Sequence, residues 1–124
     1  VLAKLERFDW EVKQRQLIGQ RYSELLAAAD IDLVTLRSDR TSVYAQFTVM
    51  VPNRDWMQKR LSETGIPSAV HYPVPLNEQP AYQHLCCPDC TPMAQQIAKQ
   101  VMSLPMSPDL SAKDQDKIVS ALLA

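Results

Sequence analysis

Apolar residues recur at helical spacing through the first part of the chain. Leu5, Phe8 and Val12 fall on one face, and Ile18, Tyr22, Leu25 and Leu26 form a second stretch slightly out of phase. Residues 2 to 29 hold no proline and are rich in Leu, Ala, Glu, Lys, Gln and Arg, so the pattern predicts one long helix, bent near Gly19. At about 1.5 Å per residue it would run roughly 40 Å, the full width of a compact globule of this size, which puts part of it outside the domain it leads into. The pattern starts at Val1 with neither an initiator Met nor a capping residue. The expectation is a piece of a larger protein, with residues 1–30 as a linking helix and 31–124 as one small C-terminal domain.

From Ile31 the period changes to two. Ile31 to Leu36 and Val43 to Val51 are rich in β-branched residues and flank the polar turn Ser38-Asp39-Arg40-Thr41, which predicts an antiparallel hairpin. In its second strand Val43, Ala45, Phe47, Val49 and Val51 alternate with Tyr44, Gln46, Thr48 and Met50, so one face packs inward. Asn53 is placed to cap a helix from Arg54 to Thr64, on which Trp56, Met57, Arg60 and Leu61 sit at helical spacing, and Gly65 follows as a left-handed C-cap. Trp56 and Met57 are expected in the core. Ile66 to Val70 reads as a short strand, Thr91-Pro92 opens a helix to about Val101, and Met102 to Leu104 returns to the sheet. Ser111-Ala112-Lys113-Asp114 resembles a capping box with Asp in place of Glu or Gln, and starts a closing helix through Ile118, Val119, Leu122 and Leu123. The expected fold class is α/β, an α+β sandwich: a small antiparallel or mixed sheet with helices on one face, behind a long linking helix.

The bulk numbers remove several classes of function. With 124 residues, 46% of them hydrophobic, the chain can bury a real core and is neither disordered nor dependent on disulfides. Its 13 basic and 14 acidic residues give a net charge of −1 with the basic ones scattered, which lacks the electrostatic footprint of a nucleic-acid binder. No apolar run approaches the roughly 20 residues of a membrane span, and no signal-peptide pattern opens the chain, so a soluble cytoplasmic protein is expected. Only Gly19 and Gly65 are glycines, which excludes a Gly-rich phosphate cradle.

Chemistry concentrates between His71 and Tyr82. These twelve residues hold His71, Tyr72, Asn77, Glu78, Gln79 and Tyr82 among three prolines, so hydrogen-bonding groups are displayed on a backbone with little freedom to lose. A preorganised loop of this kind suits a polar ligand, and equally suits a connector with ordinary surface polar groups. Cys87-Pro88-Asp89-Cys90 has the spacing of a zinc or redox pair. A zinc tetrahedron lacks further ligands, since only Cys86 and His84 are near and no second C-x-x-C exists; a thioredoxin-like pair would open a helix after a strand. The expectation is a variable loop with reduced thiols, and no metal.

In order and spacing these segments resemble the C-terminal small domain of the DegT/DnrJ/EryC1/StrS sugar aminotransferases, enzymes of fold type I that use pyridoxal phosphate. The resemblance runs through Arg21-Tyr22-Ser23-Glu24-Leu25-Leu26, Ser42-Val43-Tyr44-Ala45-Gln46-Phe47-Thr48, Gly65-Ile66-Pro67-Ser68-Ala69-Val70-His71-Tyr72-Pro73 and Val101-Met102-Ser103-Leu104-Pro105-Met106. Within the family it looks closest to enzymes that aminate a UDP-linked 3-keto sugar, the 2-acetamido-3-oxo-glucuronate derivative of bacterial surface polysaccharides.

The resemblance implies amino transfer from glutamate to that keto-sugar by a homodimer whose cofactor forms a Schiff base with a lysine. In the family that lysine, the acidic partner of the pyridine nitrogen and most phosphate contacts lie in the large N-terminal domain. Lys4, Lys13, Lys59, Lys99, Lys113 and Lys117 all fall on expected helices and none stands in the lysine motif, so this chain alone is expected to be inactive and to hold no pyridoxal phosphate. By the same resemblance His71, Tyr72 and Gln79 are the substrate-binding candidates, and Tyr82 shapes the loop. The other reading of His71 is a strand-end histidine bonded to nearby backbone. Asn77 departs from the pattern, where many relatives carry His. A stand-alone α/β binding module without catalysis is the competing function.

Overall fold

A computed structural model of the chain describes residues 2–87 and 89–124. Its elements are α1 (Leu2–Leu26), β1 (Asp32–Leu33), β2 (Phe47–Met50), α2 (Arg54–Glu63), two short 3₁₀ turns (Leu76–Glu78 and Gln83–Leu85), α3 (Pro92–Gln100), β3 (Val101–Leu104) and α4 (Ala112–Leu123). The strands form one antiparallel sheet in the order β1-β2-β3, with Asp32 opposite Met50, Phe47 opposite Leu104, Thr48 opposite Ser103 and Val49 opposite Met102.

That register sorts the side chains of the sheet into two sets, because alternate residues of a strand point to opposite faces. Phe47, Val49, Met102 and Leu104 form the first set and are buried with Ile18, Tyr22 and Leu26 of α1, Leu61 of α2, and Ile118, Val119 and Leu122 of α4. This is the α/β sandwich expected from the sequence. Thr48 and Ser103 form the second set with Met50 and Val101, and the two hydroxyls lie 3.4 Å apart.

The core claims only the second half of α1. Ile18, Tyr22 and Leu26 repeat every four residues on the packed face, whereas residues 5 to 10 are all exposed, Leu5 at 56% and Phe8 at 55%. The helix runs without interruption through Gly19. It is tied to α4 by Gln115, whose buried amide donates to the Ile18 carbonyl at 2.9 Å, and by an Arg21–Asp116 ion pair at 2.7 Å. Tyr22 is fully buried, and its hydroxyl donates to the Pro105 carbonyl at 3.0 Å.

Local chemistry sets the helix ends. The Asn53 side chain accepts from the Trp56 N–H, and Gly65 takes a positive φ of 73° after α2, a conformation that costs glycine little. Ser111 accepts from the Asp114 N–H at 3.1 Å while its own hydroxyl donates to the Asp114 carboxylate at 2.6 Å, a variant of the expected capping box.

Three expectations need correction. The hairpin strands are shorter than their β-branched runs: residues 34 to 46 form no ladder, and Tyr44 has a positive φ of 44°, which no extended strand accommodates. Ile66 to Val70 is not a strand but a single bridge between Ala69 and Ser103, since Pro67 has no N–H to give a ladder. Trp56 is 53% exposed and lies outside the core, with the Arg60 guanidinium 5.2 Å from its ring centre; Met57 and the fully buried Leu61 take the inward face of α2.

Candidate functional site

His71 stands two residues beyond Ala69, whose backbone exchanges hydrogen bonds with Ser103 at 2.7 and 3.2 Å. That bridge brings the end of the extended segment against the outer edge of β3, so the imidazole Nδ1 lies 3.3 Å from Ser103 Oγ. Ser103 is only 6% exposed, and its hydroxyl is also the one beside Thr48. The His71 ring is exposed, and with Nδ1 occupied, Nε2 is its remaining hydrogen-bonding atom.

His71 lines an open hollow of about 270 Å³ together with Gln46, Ser68, Ala69, Ser103 and Met106. A larger hollow of about 370 Å³ lies under residues 33 to 48, but Tyr44 is the only titratable group lining it. Chemistry therefore favours the smaller one, which contains an imidazole, a carboxamide and two hydroxyls.

Of the three candidates from the sequence, only His71 lines this hollow. Tyr72 is 76% exposed, its ring edge-on to His71 with 6.1 Å between centres, so it borders the imidazole from the solvent side. Gln79 is half-buried at the junction of the two 3₁₀ turns, where its carbonyl accepts from the N–H groups of Tyr82 and Gln83 at 2.8 and 2.9 Å. Its backbone holds the loop in shape. The Asn77 amide nitrogen is buried without a hydrogen-bond partner.

Ser103 and Thr48 were not singled out by the sequence. A signal was available in Ser103, the one polar residue of the run Val101-Met102-Ser103-Leu104, because a polar group in a buried strand needs a partner. The cysteines also differ from expectation. Cys87 and Cys90 are paired as a disulfide, where thiols were expected, while Cys86 is free and exposed. Among the described residues no group of three or more His, Cys, Asp and Glu side chains is placed to hold a metal ion.

These residues do not by themselves fit pyridoxal phosphate. Lys13, Lys59, Lys99, Lys113 and Lys117 are all exposed on helices, and none lines the hollow beside His71. The two glycines serve a close packing contact and a helix end rather than an anion cradle.

The chain thus combines a long α1, a three-stranded antiparallel sheet packed against α1, α2 and α4, and a histidine at the sheet edge. The profile of the DegT/DnrJ/EryC1/StrS aminotransferase family matches residues 1–123, and the chain belongs to that family. It is 40% identical over 122 residues to the UDP-2-acetamido-2-deoxy-3-oxo-D-glucuronate aminotransferase of Pseudomonas aeruginosa, covering 98% of this chain and 33% of that protein. The crystal structure of a DegT DnrJ EryC1 StrS aminotransferase from Brucella abortus superposes with a TM-score of 0.91 at 35% identity, over 98% of this chain and 33% of that one. DesV from S. venezuelae gives a TM-score of 0.91 at 31% identity, over 97% and 33%. The chain thus spans about a third of the length of the relatives it matches.

Proposed function

We propose that this chain is the small domain of a pyridoxal-phosphate-dependent aminotransferase that moves an amino group from glutamate to a UDP-linked keto-sugar, in the synthesis of a bacterial surface polysaccharide. The cofactor, its lysine and its phosphate contacts belong to a large domain outside these residues. Once bound there, pyridoxal phosphate supplies the electron sink. This chain contributes one wall of the sugar cleft, in a homodimer and in the cytoplasm.

The observation that carries this reading is His71. Its ring is held by Nδ1 against a buried hydroxyl, so Nε2 can meet an oxygen of the sugar nucleotide without first losing much rotamer freedom. Tyr72 adds an exposed phenol next to the imidazole, and Gln79, on the loop that follows, is the third group given to the substrate. The task of these groups is to bind and orient. Similarity to an enzyme named for a UDP-linked 3-oxo sugar supports the substrate class. A stand-alone binding module does not account for the family match along residues 1–123.

The test is to incubate the protein in which this domain is joined to its large domain with glutamate and UDP-2-acetamido-2-deoxy-3-oxo-glucuronate. The expected result is the absorbance of bound pyridoxal phosphate and glutamate-dependent formation of the 3-amino sugar. The 124-residue chain alone should show neither. A joined protein that takes up no cofactor, or forms no amino sugar, would sink the reading.

A further inference from the structure

We propose that Ser103 is a positioning residue for His71, and that Thr48, Ser103 and His71 form one hydrogen-bonded row that keeps the imidazole proton on Nε2, where it donates to an oxygen of the sugar nucleotide. The ligand in this statement rests on the reading of His71 as a sugar contact; the row itself does not.

Sheet register builds the row. Thr48 is paired with Ser103 on one side of β3, Ala69 is bridged to Ser103 on the other, and His71 follows Ala69 by two, so the three polar side chains form a row across β3 on one face of the sheet. The distances are 3.4 Å from Thr48 Oγ1 to Ser103 Oγ and 3.3 Å from Ser103 Oγ to His71 Nδ1. These are long hydrogen bonds, and they are the contacts available to a hydroxyl in a buried strand.

A hydroxyl has one proton to give and two lone pairs, and a neutral imidazole has one donor and one acceptor. The tautomer therefore depends on which atom donates at the contact between Ser103 and Nδ1. If Nδ1 donates to Ser103 and Ser103 to Thr48, Nε2 is left as a bare lone pair. If Thr48 donates to Ser103 and Ser103 to Nδ1, the ring proton sits on Nε2. Beside its hydroxyls a nucleotide sugar presents carbonyl, carboxylate and phosphate oxygens that can only accept, and the second direction is the one that binds those. Ser103 then acts on the sugar only through His71.

His71 and His84 are the only histidines, so nitrogen NMR of the isotopically labelled chain reads two rings, and His84→Asn leaves one. In the neutral wild-type ring Nδ1 should appear as a hydrogen-bonded acceptor and Nε2 as the protonated nitrogen. Ser103→Ala should move the Nδ1 signal toward that of a free ring, and Ser103→Thr should restore it. A wild-type ring protonated on Nδ1 overturns the proposal whether or not any variant folds, and so does an Nδ1 signal that Ser103→Ala leaves in place. In the aminotransferase carrying this domain, Ser103→Ala should raise KM for the keto-sugar about tenfold with kcat little changed, the size expected for one ordered hydrogen bond. It should add nothing in a His71→Ala background; additive effects would show that Ser103 acts by another route. If His71→Ala alone leaves KM unaltered, the sugar-contact reading fails while the NMR result on the row stands.

Discussion

Tyr22 combines a fully buried aromatic ring with a polar tip, and both parts have a defined task. The ring packs against Phe47 with 4.8 Å between centres, while the hydroxyl donates to the Pro105 carbonyl and so fixes the stretch that borders the His71 hollow. Tyr22→Phe keeps the packing and leaves that carbonyl without its donor, so denaturant unfolding should show a loss of about 1–2 kcal/mol. Burial pushes the phenol of Tyr22 well above its ordinary value, outweighing the opposing effect of the Arg21 charge. The folded state thus holds the proton longer than the unfolded chain does. The stability linked to Tyr22 is complete below about pH 10, the ordinary phenol value, and is lost as pH rises further. The free energy of unfolding measured across that range should fall more steeply with pH for the wild type than for Tyr22→Phe.

Among the elements, the helix ends were the most legible in the sequence and the hairpin the least. Asn53, Gly65 and Ser111 act on neighbours within a few residues, so their roles could be read directly. Strand ends depend on what lies across the chain. The β-branched residues Val34 and Val43 signal a strand, yet both are exposed and unpaired in the sheet, because β-propensity reports fitness for a packed pleated surface that residues 34 to 46 never join. A contact distant in sequence holds that segment instead. Tyr44 lies against α1 at Gly19, where an added Cβ would come within 2.5 Å of the ring, and Arg15 donates to the Tyr44 carbonyl at 3.1 Å. Gly19→Ala should therefore destabilise the chain by displacing Tyr44. In a Tyr44→Ala background the same change should become stabilising by up to about 1 kcal/mol, the helix-propensity gain of Ala over Gly. A thermal-unfolding double-mutant cycle reads this reversal, and the same sign in both backgrounds would refute the contact.

For the whole molecule, the fold class and the family were readable because they rest on the order of segments along the chain. The site was readable only in part. His71 stood out as an imidazole at the end of an apolar run, but the residue that holds it, Ser103, lies 32 positions away and meets it only through sheet register. Gln79 stood out by its loop context, and the structure places it at the junction of two turns rather than at the hollow. What results is a sheet edge that carries one imidazole anchored on a buried hydroxyl. The most direct measurement is steady-state kinetics of His71→Ala in the aminotransferase that carries this domain. KM for the UDP-linked keto-sugar should rise about tenfold, while pyridoxal phosphate absorbance per protomer and KM for glutamate stay at wild-type values. An unchanged KM for the keto-sugar, or a loss of cofactor in its place, would contradict the account.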